Sequence, residues 1–217
     1  MLGMAGCHAK TNPDSSPAAF QIINCVPDSG NLKASVAGRT LIAKVAPGTT
    51  SGLYGTSPGH FDIALTELPD DAQPIALDKA RIDVEAGRHY TVLAYGVALA
   101  PNQVSVFSVP KLSASDRKAV EQSGKSTVRV FNAAPGEGKL DVLVNSIVAF
   151  KNVGYGELSD AIPLAALPYE WSVKPAGDSV DMFGNPITVQ LKSGRNYVVI
   201  IMGSVSTNNI DIQAFEE

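Results

Sequence analysis

The chain of 217 residues repeats itself. A turn motif of the form Asn-x-x-Pro begins at Asn24 and returns at Asn132, about 108 residues later. A second motif, Gly-Arg-x-Tyr, begins at Gly87 and returns at Gly194. Self-similarity at a spacing of roughly 100 residues indicates two copies of one domain, each large enough to bury its own core.

Each copy consists of short segments in which apolar residues alternate with more polar ones. In the second copy, Tyr169, Trp171 and Val173 alternate with polar neighbours. A period of two indicates strands with one buried face, which places Trp171 in a core, and the Gly-containing links between such segments indicate hairpins. About seven short strands per copy predict an all-β fold of two tandem antiparallel Ig-like β-sandwich domains.

The predicted division of the chain follows from the repeat. Between the copies, the segment 113–122 has helical character, with Ser113 and Asp116 as an N-terminal cap pair and Gly124 as a C-terminal cap. A short helical connector therefore joins the two sandwiches. The predicted units are a lipobox remnant and flexible tether (1–18), a first β-sandwich repeat (19–110), the connector (111–125) and a second repeat (126–217).

The N-terminus points to the cell envelope. Ala5, Gly6 and Cys7 resemble the lipobox of bacterial lipoproteins, which implies cleavage before Cys7 and lipidation of its sulfur. The polar residues 11–18 resemble the tether of such an anchor. A signal peptide also needs a basic start and an apolar segment of about 7–15 residues, and the residues before Cys7 supply neither. The resemblance implies that the protein is attached to the membrane only through this lipid. It would then be an outer-membrane lipoprotein or lie at the periplasmic or extracellular face of the envelope.

Composition and motifs argue against several function classes. The net charge of −4 and the pI near 5.4 exclude a nucleic-acid partner, which needs a clustered basic surface. The three histidines are far apart in the sequence, and no zinc, phosphate-loop or nucleophile-elbow motif is present. We therefore expect a protein that is not an enzyme, with no catalytic residue, no metal and no cofactor. Cys25 is expected to be a buried structural thiol, because Ala133 takes its place in the second copy.

Residues that recur in both copies are predicted to be structural. They are Asn24, Pro27, Arg88 and Tyr90 in the first copy and Asn132, Pro135, Arg195 and Tyr197 in the second. Recurrence of the two arginines favours pairing across a hairpin over ligand binding. The candidate contact surface is instead aromatic, and it comprises Tyr155, Phe150 and Phe183 of the second copy.

The second copy also resembles a known family. Pro135 and the segments 140–145, 155–159 and 191–197 are similar to the turn and strand signatures of the bacterial envelope domain of unknown function 4397. The resemblance covers most of 127–213 and, more weakly, 19–107. Two departures are that Asn24 and Asn132 replace a usual His, and that Pro47 precedes Gly48 where Tyr155 precedes Gly156. The resemblance implies a secreted or lipid-anchored β-sandwich, often in tandem, without an established activity.

Three functions remain open at this point. The leading hypothesis is a non-catalytic envelope lipoprotein that binds or holds another surface component, either an envelope protein or a glycan, by strand addition or loop contact. The alternative is a glycan-binding module or adhesin, which predicts exposed aromatic residues beside amides and carboxylates. A less favoured reading is an enzyme with an unfamiliar site at the domain junction, which predicts a deep pocket lined by ionisable groups.

Overall fold

A computed structural model describes residues 17–68, 75–97, 104–110, 114–136, 138–178, 183–204 and 209–216. The first half consists of strands that form two four-stranded sheets, as the alternating pattern predicts. These strands are β1 (Ala18–Cys25), β2 (Asn31–Val36), β3 (Arg39–Val45), β4 (Tyr54–Thr56), β5 (Gly59–Leu68), β6 (Ile75–Val84), β7 (His89–Gly96) and β8 (Val104–Pro110).

The second half repeats this order after one short helix, α1 (Ala114–Gln122). The helix lies where a helical connector was predicted. The strands of the second half are β9 (Lys125–Asn132), β10 (Leu140–Val144), β11 (Ile147–Val153), β12 (Ile162–Ala165), β13 (Pro168–Pro175), β14 (Phe183–Gln190), β15 (Asn196–Ser204) and β16 (Asn209–Glu216). The division at 1–18, 19–110, 111–125 and 126–217 stays a prediction, and most of its first unit lies outside the described residues.

Four sheets form two sandwich-like halves, which confirms the predicted fold class. The first half has an outer sheet with strand order β3-β2-β5-β6 and an inner sheet with order β4-β1-β7-β8. The second half has an inner sheet with order β12-β9-β15-β16 and an outer sheet with order β11-β10-β13-β14. Phe20, Ile63 and Val92 belong to the core of the first sandwich, and Trp171 and Val199 to that of the second.

The two inner sheets also pack against each other. Along β1, Phe20 and Ile22 belong to the first sandwich core, whereas Ile23 and Cys25 belong to a third apolar cluster, which we call the junction. Alternate residues of a strand point to opposite faces, so an inner strand with two apolar faces contributes to two cores at once. The sheets therefore stack in four layers, in the order outer, inner, inner, outer. The junction contains, among others, Leu93, Val109, Phe131, Ala133, Val198, Ile200 and Met202.

One pair of strands in each inner sheet runs parallel. β1 pairs with β7 in parallel, and β9 pairs with β15 in the same way, whereas the other ladders among the described strands are antiparallel. The alternating pattern reports which face of a strand is buried but carries no information about strand direction, so the sequence did not indicate this pairing. Within the described ranges, no helix combines the length and the apolar character needed to span a membrane.

Candidate functional site

The repeated asparagines organise the same turn in both copies. Asn24 is fully buried, its Oδ1 accepts a hydrogen bond from the amide of Val26 at 3.0 Å, and its Nδ2 donates to the carbonyl of Val45 at 3.2 Å. Asn132 makes the equivalent bonds to Ala134, at 3.1 Å, and to Val153, at 3.1 Å. A buried amide that satisfies backbone groups of two segments is a structural residue, not a free ligand-binding group.

The main chain of each asparagine holds a second turn. The carbonyl of Asn24 accepts a bond from the amide of Gly48 at 2.8 Å, and the carbonyl of Asn132 accepts one from the amide of Gly156 at 2.8 Å. Both glycines have a positive φ, of 69° and 73°, which side chains other than glycine rarely adopt. These two turns, 47–48 and 155–156, both lie beside the junction and reach the opposite copy.

The hairpin motif closes in the same way in both copies. The Tyr90 hydroxyl accepts a bond from the amide of Glu85, and the Tyr197 hydroxyl accepts one from the amide of Lys192, each at 3.1 Å. Both rings are nearly buried. The motif arginines form ion pairs on the surface, Arg88 with Glu85 at 2.8 Å and Arg195 with Glu216 at 3.2 Å. Each arginine therefore has a carboxylate partner within its own sandwich.

The aromatic candidates have different environments. Trp171 is fully buried, as expected from its phase in the strand. Phe150, predicted to belong to a contact surface, is only 5% exposed, and its ring stacks on Trp171 with 6.3 Å between the ring centroids. Phe150 belongs to the core of the second sandwich, and it also lines a cleft beside β11. The side chain of Phe183 and the predicted lipidation site Cys7 lie outside the described residues.

Tyr155 belongs to one end of the junction. It is 41% exposed, and its ring meets Tyr95 of the first copy edge to face at 5.5 Å. Tyr95 in turn packs on Phe131 at 5.1 Å, and Phe107 packs on the same ring at 5.2 Å. Partial burial against this aromatic group raises the pKa of the Tyr155 hydroxyl, with a smaller contribution from Tyr95. Only part of Tyr155 is therefore available to a ligand.

Substitution of Gly156 by alanine is expected to destabilise the protein more than the same change at Gly177. Both glycines have positive φ, so both substitutions introduce backbone strain of about 1–2 kcal/mol. A Cβ at Gly156 would also lie 2.8 Å from the Tyr95 hydroxyl, whereas one at Gly177 would meet no atom within 4 Å. We expect an additional loss of about 1–3 kcal/mol at Gly156, measured by urea unfolding. Equal losses would show that the 155–156 turn does not press on Tyr95.

Cys25 is a fully buried free thiol in the junction, as the sequence predicted. Burial raises its pKa well above the ordinary value, because the thiolate would lose its hydration. An unfolded chain ionises this thiol above a pH of about 8.5. The stability linked to the neutral thiol is therefore fully present below that pH and is lost above it.

Alkaline destabilisation is expected to diminish in Cys25→Ala, which copies the residue found at Ala133. Between about pH 7.5 and about pH 9.5, we expect the unmodified chain to lose about 1.4 kcal/mol more unfolding free energy than the variant. Urea titrations of both proteins at the two pH values measure this difference. Parallel pH profiles would contradict a buried neutral thiol.

Both sandwiches have an open lateral edge. In the second copy, a cleft of about 370 Å³ lies between β11 and β12, and in the first copy a cleft of the same volume lies beside β3 and β4. On the opposite side, β6 packs against β8 and β14 packs against β16. The same edge is therefore open in both copies, although the openings lie at different heights along the strands.

The two lateral clefts differ in chemistry. The second-copy cleft has apolar residues at its base, including Val153 and Ile162, and a polar rim of Lys151, Asn152, Glu157, Ser159 and Asp160. The first-copy cleft is lined by the half-buried rings of Tyr54 and Phe61 beside Arg39 and Thr40, together with Val36, Ala37 and Leu41. Each cleft thus combines apolar contact area with a few hydrogen-bonding side chains, as binding clefts commonly do.

Two pairs of ionisable side chains join neighbouring strands of the first outer sheet. Arg81 binds Asp62 through two hydrogen bonds of 2.9 and 3.2 Å, and His60 contacts Asp83 on the same β5–β6 ladder. The hydrogen bond from Arg81 is the main cause of a lowered pKa at Asp62, and the same bond raises the pKa of Arg81. In the described part of the chain, no group of three or more His, Cys, Asp or Glu side chains could hold a metal ion.

Comparison with known proteins then shows the family. The profile of the domain of unknown function DUF4397 matches residues 18–120 and 126–217. The chain belongs to this family. It carries two tandem copies of the domain, as the resemblance of the turn and strand motifs predicted. A search of curated proteins finds no match.

Among solved structures, a similar chain is the CBMbc module (family CBM26) from Eubacterium rectale Amy13K, crystallised in complex with maltoheptaose. The two are 9% identical, and the match covers 93% of this chain and 97% of that one with a TM-score of 0.26. A similarity at this level carries no argument about the ligand of the DUF4397 protein, so its function has to be argued from its own surfaces.

Sequence analysis missed the lateral clefts. Their apolar lining residues, such as Leu41 and Ile162, have the pattern of ordinary strand residues. The sequence does not indicate which edge of a sheet is left uncovered. One signal was available: β4 and β12 have only three and four residues. Such short strands leave part of a sheet edge uncovered.

Proposed function

We propose that this DUF4397 protein is a non-catalytic binding module of the bacterial cell envelope, which holds an extended segment of another surface protein in its open lateral edges. The observation that carries the proposal is the presence of a cleft of about 370 Å³ at the same edge of both sandwiches. Attachment to the outer membrane through Cys7 is part of the proposal, and it is supported by the lipobox-like residues before that cysteine.

Strand addition is the binding mode that suits these edges. β3 and β11 are the terminal strands of their outer sheets, and terminal strands present main-chain donors and acceptors to a new strand. Alternate side chains of the added strand would enter the cleft, where Val153 and Ile162 offer apolar contacts. Lys151, Asn152 and Asp160 at the rim would select among segments by charge and hydrogen bonding.

Site-specific photo-crosslinking in the native host tests this function. A photoreactive amino acid would replace Lys151 or Arg39, both exposed at cleft rims, or the exposed Lys139 or Lys192, which do not line either lateral cleft. We expect the two rim positions to capture the same partner protein and the two controls to capture none. Equal capture from all four positions would contradict the proposal. Mass spectrometry of the same membrane extract would establish whether Cys7 is lipidated.

A glycan ligand is the second candidate, and the first-copy cleft favours it. Tyr54 and Phe61 expose part of their rings beside Arg39 and Thr40, and an aromatic surface next to hydrogen-bonding groups suits a sugar ring. Co-purification of polysaccharide without a protein partner would support this candidate. Binding of that polysaccharide should then be lost in Tyr54→Ala and retained in Tyr169→Ala, a half-buried tyrosine of the second copy.

A further inference from the structure

The two ends of the junction consist of equivalent positions with different side chains. Leu93 pairs with Phe107 as Ile200 pairs with Gln213, so the ladders of the two inner sheets correspond residue by residue. The contacts are reciprocal as well: the 155–156 turn reaches Tyr95, and the 47–48 turn reaches Gln213. The correspondence relates Tyr155 to Pro47, Tyr95 to Met202, Phe107 to Gln213 and Phe131 to Ile23.

One end is filled and the other is open because of these exchanges. The rings of Tyr155, Tyr95, Phe131 and Phe107 contact one another in series at the first end. At the second end, smaller or more polar residues occupy the same positions, and a cleft of about 220 Å³ remains between the copies. Its walls include Pro27, Pro47 and Met202, and Asp211 and Gln213 contribute polar groups.

The polar groups of this junction cleft are arranged as acceptors. Gln213 donates from Nε2 to Oδ2 of Asp211 at 2.7 Å. The same amide nitrogen lies against the 47–48 turn, since a Cβ at Gly48 would be 2.9 Å from it. Oδ1 of Asp211 and the side-chain Oε1 of Gln213 accept no hydrogen bond from the described residues, so both can accept one from a ligand. Asp211 is exposed, and no lysine or arginine of the described residues forms an ion pair with it.

We propose that the junction cleft binds an alkylammonium group, that is, a primary ammonium on an aliphatic stem. The carboxylate of Asp211 and the side-chain carbonyl of Gln213 accept hydrogen bonds from the ammonium, and hydrogen bonds to charged groups are the stronger kind. The C–H surfaces of Pro27, Pro47 and Met202 contact the methylene stem, as apolar surfaces do for lysine stems elsewhere. The cleft is smaller than the roughly 300–1,000 Å³ of most ligand pockets, so it suits one side chain or one small diamine.

Nuclear magnetic resonance of the full-length chain tests this site. N-acetyl-lysine methylamide serves as the probe, and its norleucine analogue, which keeps the stem but lacks the ammonium, is the control. We expect the lysine probe to shift the amide signals of Gly48 and Gly203 in a saturable manner and the norleucine probe to leave them in place. Shifts of equal size with both probes would overturn the proposal.

Two variants locate the binding. Asp211→Asn removes the charge and retains the shape, and we expect about tenfold weaker binding. Glu170→Gln, at an exposed carboxylate that lines none of these clefts, is the matched control and should not change the affinity. The double variant Pro47→Tyr and Met202→Tyr copies the aromatic end and should abolish the shifts. Unchanged binding in Asp211→Asn would overturn the proposal, even if the double variant did not fold.

A third ligand distinguishes between two natural sources of the ammonium group. 1,5-Diaminopentane presents the same group as a free small molecule, and comparison with the lysine probe decides between a polyamine and a lysine of a protein chain. Tighter binding of the lysine probe is expected if the ligand is a protein. This site is independent of the lateral clefts, so loss of cross-linking at Lys151 and loss of shifts at Gly48 would be distinct results.

Discussion

Replacement of Phe131 by alanine is expected to lower the free energy of unfolding by about 3–5 kcal/mol. Phe131 is fully buried in the junction, where it contacts Tyr95 and Phe107 of the first copy. Its removal leaves a cavity between two sheets that are themselves fixed by the sandwich cores on either side, so the site cannot readily collapse. Contacts between the two copies therefore contribute to the large expected loss.

The same experiment tests whether the copies unfold together. Trp171, the single tryptophan, is buried in the second sandwich, so its fluorescence follows that half, whereas circular dichroism follows both. We expect coincident urea transitions by the two probes in the unmodified chain, because separating the sheets would expose the junction to water.

The control for Phe131→Ala is Ile147→Ala. Ile147 is 73% exposed, so its replacement should change stability by less than about 0.5 kcal/mol. A comparable loss in both variants, or two separate transitions, would contradict a packed junction.

Asn132→Ala is expected to cost about 2–4 kcal/mol. The change removes the acceptor of the Ala134 amide and the donor to the Val153 carbonyl, which lie in a buried region. Each buried group left without a partner costs about 1–3 kcal/mol. Equilibrium urea unfolding measures the loss, and Asn24→Ala should give a similar value, since its side chain makes the equivalent bonds to Val26 and Val45.

A matched control separates this effect from the general effect of losing an amide. Asn185 is exposed on β14, and Asn185→Ala should alter stability by less than about 0.5 kcal/mol. Asn132→Ala is also expected to loosen the 155–156 turn, which the Asn132 main chain holds, and so to increase the exposure of Tyr155. If Asn132→Ala were as mild as the control, the buried asparagine would not be the structural centre of the turn.

The position of many strands was predictable, but the burial of a strand on both faces was not. The alternation of Tyr169, Trp171 and Val173 located a strand of the second outer sheet, and Trp171 is in the core as expected. β1 is buried along its whole length, and its sequence lacks the regular polar alternation by which a strand is recognised. In β9, Thr127 and Arg129 alternate with Val128 and Val130, yet both faces of the strand are buried. The apolar run 197–202 indicated one buried strand, but it did not indicate that alternate residues of this strand pack into two different cores.

The candidate site was less predictable than the fold. Tyr155 was correctly placed in a turn, but its contact with Tyr95 joins residues of different copies, and no periodicity within one copy reports such a contact. Phe150 is more buried than was expected of a contact residue, because it lies on the inward face of β11 and stacks on Trp171. The recurring asparagines, tyrosines and arginines were recognised as structural because the same residue returns at the same place in the repeat.

The sequence by itself determined the two-copy architecture, the strand character and the shared turns, because these depend on local patterns and on residues that recur. Only the tertiary structure decided that the inner sheets pack together, that each sandwich is open at one edge and that the junction is closed at one end and open at the other. These features depend on which strands become neighbours and on which side chains meet across the copies. Such contacts are formed by the faces of β1, β7, β9 and β15 that point away from their own sandwich core. The apolar character of a residue in the sequence does not indicate which core the residue packs into.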